Sequence, residues 1–96
     1  MASSVIKKIN DTTIVLDENT DINAVPHQYF MTYACDSWTN VQTGIPANGT
    51  VLMIPRKGNN AIQIYICPDI NAGIYVRSRL SNGSYGSWKR FDLLNT

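Results

Sequence analysis

Charge is the scarcest ingredient of this chain. Only 16% of its 96 residues are Asp, Glu, Lys or Arg, against roughly 25% in an average domain. The formal net charge is +1, so electrostatics makes no case for nucleic acid or an anionic membrane as a partner. So little charge suits a chain buried in an assembly better than a lone soluble monomer. Histidine occurs once, as His27 beside Pro26, and no second ligand lies at a spacing that a metal or an acid–base pair needs. Cysteine occurs twice, as Cys35 and Cys67. Neither belongs to a Cys-x-x-Cys motif, and each closes an apolar run, so both read as small buried hydrophobes; their pairing is left open.

Other absences narrow the function classes. No apolar run approaches the roughly 20 residues that span a bilayer. The opening "MASSVIKKIN" lacks the apolar centre of a signal peptide, so neither membrane insertion nor independent export is expected. The sequons at Asn10, Asn48 and Asn82 then read as turn residues. There is no Gly-x-Ser-x-Gly elbow. The acidic "DENTD", with Asp17, Glu18 and Asp21, lacks the alternating ligands and distal glutamate of a calcium loop. Most of the seven acids sit in turn-like stretches, so no carboxylate pair for glycoside hydrolysis stands out. The expectation is a protein that is not an enzyme and holds no metal or cofactor.

What is present is strand-forming sequence cut by turns. At 96 residues the chain makes one small domain with a thin core. "TTIVL" (12–16), "QYFMTYAC" (28–35), "TVLMIP" (50–55), "AIQIYIC" (61–67), "IYVRSRL" (74–80) and "SWKRF" (87–91) are β-branched, aromatic or alternating, and Gly, Pro, Asn and Asp fill the gaps. "TVLMIP" reads as a strand buried on both faces. No segment holds a helical period over three turns. These features predict a mostly β, antiparallel domain of five to seven short strands, whether knob-like, sandwich or meander. The last three strands form a meander. A short irregular N-terminal segment, residues 1–19, serves as lead or stalk, ahead of a β domain over 20–96.

Alternation sorts the candidate site residues. Ile62, Ile64 and Ile66 share one face of their strand, with Gln63 and Tyr65 on the other. Tyr75, Arg77 and Arg79 share a face that reads as an ordinary solvated sheet surface rather than a nucleic-acid platform. Trp38, in "DSWTN", is either a loop anchor or a binding contact. Trp88 reads as core. Tyr85 and Trp88, three apart in one strand, are expected on opposite faces. Arg77 is placed to meet Trp88 across the Asn82-Gly83 turn in a cation–π contact.

From Thr20 onward the chain resembles the pyocin knob domain of phage tail fibres and R-type pyocin fibres. The resemblance rests on "TDINAV", "YFMTYA", "GIPANGTVLMI", "AIQIYI" and above all the ending "GIYVRSRLSNGSYGSWKRF". That ending is similar to the family's Tyr-x-Arg, turn, Gly-x-Trp-x-x-Trp closure. His27 and Gln28 stand where the family has a Pro-Gly-like turn, and Tyr85 replaces the first tryptophan of the closing pair. The resemblance implies a virion protein, made in the host cytoplasm and carried on a tail fibre or other surface appendage. It implies a homotrimer that contacts other virion proteins and attaches to a bacterial cell-surface saccharide or other receptor, with avidity from repeated weak sites. Trp38, Tyr65, Tyr75, Arg77 and Arg79 are the contact residues expected, and Tyr85 and Trp88 the aromatic closure. The alternative is a structural virion piece (decoration, adaptor or trimerisation module) that binds no receptor.

Overall fold

The alternating segments become the strands of one sheet. The computed structural model describes residues 13–68 and 73–91. Among these residues its strands are β1 (Thr13–Val15), β2 (Met31–Cys35), β3 (Gly49–Pro55), β4 (Ala61–Ile66), β5 (Ile74–Arg79) and β6 (Lys89–Phe91), with a 3₁₀ turn at Ile22–Ala24. They lie side by side in chain order. The fold is mostly β, as the alternation predicts. Residues 1–12 of the expected lead 1–19, and residues 69–72 of the turn-like stretch between the fourth and fifth strands, lie outside the described residues.

The sheet is mixed rather than wholly antiparallel. β2 to β6 run antiparallel, each to the next, but β1 runs parallel to β2, Thr13 beside Thr32 and Val15 beside Ala34. A parallel neighbour needs a crossover of about a dozen residues or more, and residues 16–30 supply it. Thr13–Val15 therefore belongs to the sheet, although the 1–19 and 20–96 division assigns it to the lead.

Turn chemistry fixes the hairpins. Between β3 and β4, Arg56 N–H donates to Asn60 O at 3.0 Å, and Gly58 takes φ +68°. After β5, Leu80 N–H donates to Ser84 O at 2.7 Å, and the Asn82 side chain accepts from Ser84 N–H at 3.0 Å. Gly83 takes φ +90° there, a conformation that costs other residues energy.

One face of the sheet is covered by the chain itself. The crossover 16–30 and the loop 36–48 bring Ile22, Val25 and Trp38 onto it, where they pack with Tyr33, Cys35, Val51, Met53, Tyr65, Tyr75 and Trp88. Each large apolar side chain buried this way contributes about 1.5–3 kcal/mol. Cys35 and Cys67 are both buried and are not joined to each other. The opposite face carries Leu52, Ile54, Ile62, Ile64, Ile66, Ile74 and Val76, all half-buried or exposed. β3 is thus not buried on both faces: its residues alternate between covered and open, because the described loops pack on one side of the sheet.

Candidate functional site

The cluster with most chemistry lies where β4, β5 and the closing segment meet. Gln63 and Arg77 are paired directly across β4 and β5, so both project to the covered face. Arg77 is 7% exposed and Gln63 fully buried. Arg77 Nε–H donates to Gln63 Oε1 at 2.6 Å, and its Nη2 donates to Asn23 Oδ1 at 2.7 Å. Gln63 Nε2 in turn donates to the Ile22 carbonyl at 3.2 Å. This chain of bonds ties the sheet to the 3₁₀ turn, which is capped by Asp21 Oδ1 accepting from Asn23 N–H at 2.8 Å.

Two rings enclose the same guanidinium. Arg77 Cζ lies 3.8 Å from the Tyr85 ring centroid and 4.3 Å from that of Trp88. The expected Arg77–Trp88 contact is therefore present, and Tyr85 joins it. Tyr85 and Trp88 do not point to opposite faces. Tyr85 bridges to Arg79 and Trp88 immediately precedes the Lys89–Val76 pair, so the closing segment carries one residue more than β5 between those points. Such a bulge reverses the alternation and brings both rings to one side. Gly86 and Ser87 lie in it, which is why the last strand starts at Lys89 rather than Ser87.

Burial sets the electrostatics. Burial pulls the Arg77 guanidinium down to about 10, with Tyr85 and Asp21 acting against that shift. The Tyr85 phenol is raised by burial, opposed by Arg77 and Arg79. Its hydroxyl is enclosed and has no partner in hydrogen-bond geometry. Burial likewise raises Tyr65 well above the ordinary tyrosine value, with smaller contributions from Cys67 and Cys35, and its hydroxyl donates to Pro46 O at 2.7 Å. The Tyr65 ring lies on Gly49: a Cβ there would come within 2.7 Å of Tyr65 Cζ.

No family model, curated protein or solved structure matches this chain.

The five residues expected to meet a ligand are thus placed by geometry alone. Trp38 is a loop anchor, 3% exposed, with its indole N–H donating to Gly49 O at 2.8 Å. Tyr65, Tyr75 and Arg77 are buried in the covered face. Arg79 is half-buried, and its Nη1 donates to Asn59 O at 2.8 Å. The structure gathers Tyr65, Arg77, Tyr85 and Trp88 into one packed group, with the Tyr65 and Trp88 centroids 6.0 Å apart. It does not gather the five on a solvent-facing surface. The Tyr75–Arg77–Arg79 face, read as solvated, is the covered one. Sequence reasoning missed Gln63 and Asn23 as partners of Arg77. A glutamine in phase with Tyr65, opposite an isoleucine face, is the available signal for the first. Asn23 is a long-range partner and leaves no local sign.

Proposed function

We propose that this chain is a structural module of a tailed-phage particle or phage-derived fibre, made to pack against protein rather than to grip a receptor itself. The observation that carries this reading is the placement of Trp38, Tyr65, Tyr75 and Arg77. Their hydrogen-bonding groups and ring faces are spent inside the chain. A saccharide site needs rings presented to solvent beside free polar groups. The particle context comes from the resemblance of "GIYVRSRLSNGSYGSWKRF" and the segments before it to the pyocin knob domain. In this reading the chain resides in the virion, with other virion proteins and copies of itself as partners; a homotrimer is the state that the resemblance implies.

The receptor-binding reading keeps one structural support: Tyr29, 60% exposed, and half-buried Arg79 still reach solvent. A glycan array probed with the fluorescently labelled chain separates the two, alongside mass spectrometry of purified particles. The assembly reading expects the chain among the particle proteins and no glycan signal above buffer. Saturable glycan binding that Tyr29→Ala or Arg79→Ala abolishes would replace it with the receptor reading.

A further inference from the structure

The side of the sheet that the loops leave open is its most aliphatic. Cross-strand pairs align Leu52 with Ile64 and Ile64 with Val76, and Ile66 with Ile74, so β3, β4 and β5 present one continuous branched-aliphatic surface. Phe91 extends it on β6, paired with Ile74, and Phe30 borders it at the other end beside Thr32 and Leu52. Ile66 is 43% exposed, and Phe30 and Phe91 more so. Among the strand residues of this face, Lys89, opposite Val76 on β6, carries the charge, and it sits at the rim.

The geometry points to this open isoleucine face as the surface through which copies of this chain pack on one another. Three observations select a second copy as the occupant. Ile62 and Ile66 are 36% and 43% exposed and Phe91 and Phe30 60% and 69%, so with their half-buried neighbours they form a contiguous apolar patch of the kind that marks a protein contact. The face has no pattern of charges that asks for a partner of complementary charge, whereas branched aliphatic rows are complementary to themselves. Sheets stack face to face about 10 Å apart through such residues. Two open grooves flank the isoleucine rows, one beside Phe30 and Leu52 and one beside Val76, Lys89 and Phe91; they offer places for side chains of the facing copy.

This inference rests on the assembly reading for its biological meaning, but its test is separate. The experiment is light scattering coupled to size-exclusion chromatography of the full chain at about 200 µM, for wild type and for the double variant Ile62→Lys/Ile66→Lys, with far-UV circular dichroism as the check on folding. The expected result is a wild-type mass of two or three times 10.7 kDa, falling to the single-chain mass in a variant that keeps its β spectrum. A wild-type monomer overturns the inference, whatever else covers the face. An oligomer unchanged in the folded double variant overturns it too, since association then uses another surface. If the double variant does not fold, Ile66→Thr, which keeps β-branching, replaces it, and the dissociation constant is expected to rise at least tenfold. A monomer that binds no glycan would remove this interface and leave the assembly reading standing. An oligomer that binds glycan would do the reverse.

Discussion

At the residue scale, Arg77 is the side chain on which most else depends. It is a buried cation held by neutral acceptors and two ring faces. Its desolvation is offset only while Gln63, Asn23, Tyr85 and Trp88 all stay in place. Arg77→Ala leaves the buried Gln63 amide oxygen without its donor, takes the guanidinium from exposed Asn23, and empties the space between two rings. It is expected to cost about 1–3 kcal/mol for the unpaired buried acceptor, with the lost packing between the rings added to that. Arg77→Lys is expected to recover only part of that, because an ammonium lacks the planar fork that serves two acceptors while stacking on rings. Urea denaturation of the three proteins measures both differences. An Arg77→Ala variant within 0.5 kcal/mol of wild type, about the usual scatter for surface changes, would show that the guanidinium is dispensable.

At the element scale, the turn after β5 positions β6 and the aromatic closure. Gly83 takes φ +90°, and a Cβ there would stand 3.4 Å from Arg79 Nη2. Gly83→Ala is expected to cost about 1–2 kcal/mol from the left-handed backbone alone. Hydrogen exchange is expected to show faster amide exchange in β6 and unchanged protection in β3 and β4. Uniform loss of protection would mean that the turn is needed for the whole sheet. The six strands themselves were legible, because alternation and turn residues are local signals. The direction of β1 was not, since its partner is a crossover away and no local residue encodes orientation. The bulge at Gly86-Ser87 was equally hidden: three residues span the distance of two, and alternation alone then assigns Tyr85 to the wrong side. Which face is covered also escaped the sequence. Isoleucines promise a core and Tyr-Arg-Arg a wet surface, but Ile22 and Trp38 arrive from distant loops and reverse that order. The Arg77–Trp88 contact was legible because one hairpin joins the two residues.

At the scale of the whole molecule, stability depends on alkaline pH through buried phenols. Tyr33 is raised by burial and then by Tyr29, and Tyr65 and Tyr85 are raised chiefly by burial. The unfolded chain releases these protons near pH 10 while the folded chain keeps them. Above that pH the unfolded state binds fewer protons, and stability falls as pH rises. Arg77 acts in the opposite sense. Burial lowers its guanidinium to about 10 in the fold, so above that pH the unfolded state holds the extra proton and stability gains. Three phenols outweigh one guanidinium, so the urea midpoint is expected to drop between pH 9.5 and 11. Tyr65→Phe is expected to start lower, because the Pro46 carbonyl loses its donor, and to fall less steeply. A wild-type midpoint that holds or rises over this range would contradict the burial of the phenols.

The placement of the two tryptophans has an optical consequence. Trp38 and Trp88 both lie in the covered face, and neither is on the isoleucine surface. Intrinsic emission therefore reports whether the loops are seated on the sheet and is blind to whatever settles on the other side. Unfolding is expected to shift the tryptophan spectrum, whereas the proposed association through the open face is expected to leave it unchanged.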